Sequence, residues 1–275
     1  MVLARLMTPE GPRVAVRRDG AWTPPPQPFG EDLRPVLGPG LGAPLPDSGP
    51  DAPELLAPVN PGKIVAIGLN YADHVRETGL ATPEQPLIFA KFPSSVVGPG
   101  RPILLDAGLT ERVDWEVELA VVLARRARHV PADAALDYVL GYTIANDVSA
   151  RDLQFADGQW VRGKSLDSFC PLGPWLVTPE EVGDPQQLRL TTRVNGELVQ
   201  DSSTSEMIFS VAELIAHCSA SFTLEPGDVL LTGTPWGCGE FMTPRRSLRP
   251  GDEVTLEIER IGRLSNPVLA AEAGV

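Results

Sequence analysis

Glu116 and Glu118 stand two residues apart in the stretch VDWEVELAVVLA. On a strand, successive side chains alternate faces, so both carboxylates emerge on one side, followed there by Ala120 and Val122. A strand face that turns apolar is becoming buried. Two carboxylates side by side on such a face repel each other and resist ionisation unless a cation neutralises them. The same spacing also fits an exposed strand end carrying two solvated glutamates. Asp147 adds a third oxygen donor: it ends the apolar run GYTIAN and begins a turn, where a carboxylate projects from a fixed scaffold. Taken singly, it fits equally the N-cap of a helix starting near Val148. Three oxygen donors with no Cys or His nearby suit a hard ion, Mg²⁺ or Mn²⁺ ahead of Ca²⁺, with water or substrate filling the remaining octahedral positions.

The charge pattern narrows the partners. A net charge of −13 argues against nucleic acid, whose phosphates need a basic face. A small anion is compatible with it only where cations are concentrated locally, and a bound metal supplies such a concentration. Of 23 basic residues only Lys63, Lys91 and Lys164 are lysines. Coding bias toward Arg accounts for the scarcity, yet an ammonium is the smaller charge with the more tunable pKa, which singles out Lys91 and Lys164. The three cysteines, Cys170, Cys218 and Cys238, are odd in number and form no CxxC, so neither a disulfide framework nor a zinc site is expected. There is no run of about 18 uncharged apolar residues and no apolar leader, so a cytoplasmic protein with no membrane partner is expected.

These residues need elements to position them. From Thr23 to Pro61 the chain carries 12 of its 29 prolines, which favours extended linker and places a domain boundary near residue 60. Before it, Val14–Val16 and an Arg-Asp-Gly turn suggest a small β appendage. After it, Lys63–Leu69, Pro86–Lys91, Glu116–Ala124, Val139–Ile144, Leu172–Val177, Leu188–Val194, Asp228–Thr232 and Glu253–Glu259 read as strands, with a short helix or turn over Asn70–Thr78. Asn195-Gly196 is a two-residue hairpin signal, since both positions take positive φ. Ser210 to Glu213 fits a capping box, with Val211, Leu214, Ile215 and Cys218 on one helix face. The fold class is mixed, mostly β with few helices. Short βαβ alternation is absent, which argues against Rossmann and barrel architectures.

From about residue 62 onward, seven stretches in order resemble the fumarylacetoacetate hydrolase family: KIVAIGLNYADHVRETG, PLIFAKFPSSVVGPG, VDWEVELAVVLARRAR, GYTIANDVSARDLQ, GQWVRGKSLDSFCPLGPWLVT, RVNGELVQDSSTSEMIFSVAELI and LEPGDVLLTGTPWGCG. The resemblance implies a β-clip type catalytic domain over residues 61–275, preceded by the appendage and linker of residues 1–60, in a homodimer. It implies an enzyme that binds Mg²⁺ or Mn²⁺ and processes small anionic 2-oxo acids. Its acidic triad falls on Glu116, Glu118 and Asp147, and its lysine on Lys164. His74 and Glu77 match a pair that holds and deprotonates an attacking water, and their spacing of three on a helical turn lets the carboxylate orient the imidazole. Arg151, Gln154 and Thr234 match substrate-binding positions, and Lys91 is a candidate second cation near the substrate.

The reading that follows is hydrolytic C–C cleavage of an acylpyruvate. The same enolate chemistry also supports decarboxylation of oxaloacetate and isomerisation of 2-oxo dioates such as 2-hydroxyhepta-2,4-diene-1,7-dioate. The GQWVRGKSLD stretch resembles members from aromatic degradation, which keeps the isomerase and decarboxylase readings open. A non-catalytic binding protein of the same fold would be expected to lack some of these carboxylates or the lysine.

Overall fold

The apolar run that follows the two glutamates becomes a strand covered on both faces. In the computed structural model, which describes residues 1–26 and 33–271, Val117–Leu123 is buried at every position. Val117, Leu119, Val121 and Leu123 join one apolar cluster, while Ala120 and Val122 join another. Burial on both sides explains why the run is nearly continuous rather than alternating.

In chain order the strands that build the molecule are β1 (Val2–Thr8), β2 (Gly11–Arg18), β3 (Ala21–Thr23), β4 (Ile64–Gly68), β5 (Leu87–Lys91), β6 (Ile103–Leu105), β7 (Val117–Leu123), β8 (Val139–Asn146), β9 (Cys170–Val177), β10 (Arg189–Val194), β11 (Glu197–Ser203), β12 (Val229–Leu231), β13 (Glu253–Ile258) and β14 (Gly262–Ala270). The main sheet runs β3-β2-β1-β9-β8-β7-β12-β4-β5, and along that order only β12 and β4 are parallel. A second sheet, β11-β10-β13-β14-β6, packs over one face of it. The fold is therefore mostly β with few helices, as its patterning predicts.

Four helical segments matter for the site. They are α1 (Ala72–Thr78), α2 (Arg151–Asp157), the single turn α3 (Val161–Lys164) and α4 (Val211–Ser221). The capping box on α4 is present, with the Ser210 side chain accepting from the Glu213 backbone N–H. Asn195 and Gly196 turn the β10/β11 hairpin with φ of 53° and 83°. Among the described residues no helix is long and apolar enough to cross a membrane.

The first sixty residues join the main sheet directly: β1 pairs with β9 at Val2↔Val177 and Leu3↔Leu176. Residues 27–32 of the proline-rich stretch lie outside the described residues. Elsewhere in that stretch a helical turn at Arg34–Leu37 and short strands at Leu45–Pro46 and Leu55–Leu56 interrupt the extended chain. Buried Arg5 fastens it to β1, donating to the carbonyls of Leu37 and Ala57 and to Asn60 Oδ1 at 3.0, 2.9 and 2.8 Å.

Candidate metal centre and active site

Strand register brings the three carboxylates together. Glu118 lies opposite Ala145 in the antiparallel β7/β8 pair, so two residues further out Glu116 lies opposite Asp147, whose N–H donates to the Glu116 carbonyl at 2.9 Å. One oxygen from each of Glu116, Glu118 and Asp147 falls within 4.8 Å of the other two, and all three residues are buried. Asp147 directly follows Asn146, the last residue of β8, and caps no helix, because α2 begins only at Arg151.

Cations compensate the cluster unevenly. Lys164 Nζ donates to Glu116 Oε2 at 2.6 Å and to Asp147 Oδ2 at 2.7 Å. Arg151 reaches Glu116 Oε1 at 2.6 Å. Burial opposes charge on Glu116, yet Lys164 and Arg151 outweigh it and hold its carboxyl below the ordinary value. Burial likewise opposes charge on Lys164, but Asp147 and Glu116 raise its pKa. Glu118 differs: it accepts only the Gly233 N–H, at 2.7 Å, and among the described residues it has no cationic partner. Burial, reinforced by the charges of Asp147 and Glu116, pushes its carboxyl well above the ordinary range. A buried carboxylate without a counter-charge costs on the order of several kcal/mol. A divalent cation held by the three oxygens removes that cost, so the residues present fit such an ion. The all-oxygen donor set favours a hard one.

The loop TGTPWGCG after β12 braces this arrangement. Gly233 and Gly237 have φ of 93° and 95°, and a Cβ on Gly237 would sit 2.1 Å from the Val199 carbonyl oxygen. Only glycine fits there. The two N–H groups thereby aim inward: that of Gly233 donates to Glu118, and that of Gly237 to Glu77 Oε1 at 2.8 Å. Glu77 Oε2 in turn meets His74 Nδ1 at 2.9 Å, one helical turn earlier on α1. A carboxylate acceptor at Nδ1 fixes the proton there and leaves the Nε2 lone pair free.

A cleft of about 80 Å³ is lined by His74, Glu116, Glu118, Arg151, Gln154, Lys164 and Thr234, with Phe89, Phe155, Trp160 and Phe241 as apolar walls. Glu77 and Asp147 do not line it, and are hydrogen-bonded to His74 and Lys164, which do. Lys91 is also absent from the cleft lining, unlike a second substrate cation: its ammonium donates to Asp147 Oδ1 at 2.6 Å and to the Lys164 carbonyl. It braces Asp147, one of the three clustered carboxylates. Arg151 and Gln154 line the cleft one turn apart on α2 and bond each other at 3.0 Å. Thr234 accepts from Gln200 Nε2 at 3.0 Å.

Two residues escape the sequence reading. Asp114 is buried, takes both Nε and Nη2 of Arg151 at 2.9 and 2.8 Å, and accepts the Gly239 N–H at 2.7 Å. Its signal was its place two residues before Glu116, extending the same-side carboxylates to three. Cys238 is buried beside His74 and Glu77. Sequence spacing carries no sign of that proximity.

Residues 63–269 match the fumarylacetoacetate (FAA) hydrolase C-terminal family. The chain is 51% identical over 216 residues to "Oxaloacetate tautomerase Fahd2a, mitochondrial" of Rattus norvegicus, covering 78% of this chain and 69% of that protein. Among solved structures, 5-carboxymethyl-2-hydroxymuconate delta-isomerase from Mycobacterium smegmatis is 41% identical with a TM-score of 0.84, covering 98% of this chain and 100% of that one. The 2-hydroxyhepta-2,4-diene-1,7-dioate isomerase from Mycobacterium marinum is 40% identical with a TM-score of 0.83, covering 100% of both chains.

Proposed function

Because this chain belongs to the fumarylacetoacetate hydrolase family, we propose that it is a divalent-metal-dependent enzyme that interconverts the keto and enol forms, or the double-bond isomers, of a small 2-oxo acid. The observation that carries this reading is the uncompensated Glu118 carboxylate, which shares one cleft with Lys164 and His74. The tautomerase and isomerase names of the relatives support it.

Mg²⁺ or Mn²⁺, held by Glu116, Glu118 and Asp147, would supply Lewis-acid stabilisation of charge developing on the 2-oxo oxygen. The chain's own groups do the rest. Lys164 has three ammonium donors, of which two go to Glu116 and Asp147, leaving one for substrate oxygen. Arg151 has one N–H beyond those given to Asp114, Glu116 and Gln154, and with Gln154 and Thr234 it orients the substrate carboxylate. His74 Nε2 takes the proton from the carbon next to the 2-oxo group and returns it to the product, while Glu77 stabilises the charged imidazole. Phe89, Phe155, Trp160 and Phe241 keep water from competing. The protein acts as a homodimer in this proposal.

The His74 and Glu77 hydrogen bond favours a second reading, hydrolysis of an acylpyruvate, in which the same imidazole deprotonates an attacking water. A substrate panel separates the two. Protein stripped with EDTA is reloaded with Mg²⁺ or Mn²⁺ and offered enol-oxaloacetate, a 2-oxohept-3-enedioate and an acylpyruvate. Metal-dependent ketonisation or double-bond movement without C–C cleavage is the expected result. Cleavage of the acylpyruvate alone selects hydrolysis, and release of CO₂ from oxaloacetate selects decarboxylation. No turnover of any substrate, with Glu116→Ala unchanged in metal affinity, overturns the enzyme reading in favour of a binding protein.

A further inference from the structure

Glu77 holds His74 from one side, and a third donor closes the group from the other. One ligand atom from each of His74, Glu77 and Cys238 lies within 4.8 Å of the other two. Nitrogen, oxygen and sulfur donors together differ in chemistry from the all-oxygen set of Glu116, Glu118 and Asp147. A thiol with an imidazole selects a borderline or soft ion, and Zn²⁺ with such ligands takes a tetrahedral arrangement with bonds of about 2.0 to 2.3 Å. Ligands on such a tetrahedron stand roughly 3.5 Å apart, so small side-chain shifts close the present group around an ion.

The site is also reachable and braced. His74 lines the cleft, which gives an ion its route and a water for the fourth position. Cys238 sits in the TGTPWGCG loop, pinned on either side by the Gly237 N–H on Glu77 and the Gly239 N–H on Asp114. Of the three cysteines, Cys238 alone belongs to such a group among the described residues.

We propose that His74, Glu77 and Cys238 form an inhibitory site for a thiophilic divalent cation of the Zn²⁺ or Cd²⁺ class, separate from the three-carboxylate centre. The ion bonds the Cys238 sulfur as the thiol proton leaves to solvent, and it replaces the proton between His74 Nδ1 and Glu77, which moves to Nε2 and removes the lone pair that otherwise takes a proton. Mg²⁺ stays in place. The inhibition rests on the proton-transfer role proposed above for His74, whereas the binding does not.

The test uses the full chain saturated with Mg²⁺ and titrated with Cd²⁺, reading the thiolate-to-cadmium charge-transfer absorbance in the ultraviolet. One equivalent is expected to develop the band. Cys238→Ser should lose it, Cys170→Ser and Cys218→Ser should keep it, and His74→Ala should weaken Cd²⁺ binding at least about tenfold. In turnover assays with Mg²⁺ in excess, Zn²⁺ should inhibit the parent protein and spare Cys238→Ser. Absence of the band in the parent, or its persistence in Cys238→Ser, overturns the site whether or not the substrate assignment stands. A band without inhibition overturns the inhibitory role. Should Cys238→Ser fail to fold by circular dichroism, Glu77→Gln should need at least about tenfold more Cd²⁺ to develop the band, and an unchanged titration overturns the site.

Discussion

At the scale of single residues, the decisive group is Glu118, the one carboxylate of the cluster that makes no ion pair among the described residues. Burial and the charges of Asp147 and Glu116 raise its pKa, so the metal-free folded state keeps a proton that the unfolded chain gives up above about pH 4.3. The folded state then binds more protons than the unfolded one, and stability falls as pH rises from there toward the raised value. Melting curves of metal-free protein should show that fall. Glu118→Gln should flatten it and also abolish the increase in Tm on adding Mg²⁺; an identical pH profile in parent and variant would refute the assignment. Lys164 makes the opposite case. Lys164→Met leaves Glu116 and Asp147 short of a buried partner, which should destabilise the metal-free protein by about 3 to 5 kcal/mol in denaturant unfolding. Metal binding should survive and turnover should vanish. The two glutamates were legible because paired carboxylates on a face that turns apolar need a cation, and Lys164 was singled out by the scarcity of lysine and by the family resemblance. Cys238 was not, since a lone cysteine in a loop has no spacing pattern to read, and for Lys91 the sequence shows a charge near the site without showing which side of a carboxylate it lies on.

Elements convert those residues into a site, and here register matters more than propensity. Period-two alternation places Glu116 and Glu118 on one face, but only the β7/β8 pairing sets Asp147 across from Glu116. Local pattern does not tell which strands pair, so the third ligand was found from its place at a strand end. The missed strand β14 shows the limit from the other direction. Its inward positions are Leu264, Asn266 and Val268, and the buried Asn266, whose amide donates to the carbonyls of Gly98 and Arg101, breaks the apolar alternation that would have announced it. The glycine loop after β12 is the element whose alteration is most diagnostic. Gly237→Ala forces a Cβ against the Val199 carbonyl in a backbone region that disfavours it, costing roughly 1 to 3 kcal/mol. Displacing that loop takes the N–H away from Glu77, so kcat should drop by at least about tenfold, with Mg²⁺ affinity at the three carboxylates preserved. Equal losses of metal affinity and kcat would mean that the loop supports the centre as a whole. By contrast, Ser210→Ala removes half of the α4 capping box and should lower stability by about 1 kcal/mol while leaving kinetics unchanged.

Across the whole molecule, the appended segment and the site-bearing region share one sheet. Composition marks a break near residue 60, because twelve prolines fall between Thr23 and Pro61 and the family match begins at residue 63. The hydrogen-bond ladder crosses that break. β1 covers the edge of β9, and its inward Leu3 packs in the apolar cluster with Ala145, Leu172 and Leu176. The buried Arg5 obscured β1 in the sequence, since a charge in mid-strand looks like solvent exposure until its carbonyl partners are in view. The polar members of the site, in contrast, lie between His74 and Cys238, and the cleft lining runs from Ile67 to Phe241. A chain beginning at residue 61 therefore keeps all the ligands but exposes an unpaired edge of β9, a template for association with other strands. Such a truncation should still bind Mg²⁺, yet melt at a lower temperature and form aggregates in sedimentation velocity. Adding residues 1–60 as a separate peptide should restore part of the Tm, because the lost stability lies in pairing and burial rather than in the site. A truncated chain as stable and monodisperse as the parent would instead make the first sixty residues a separable domain.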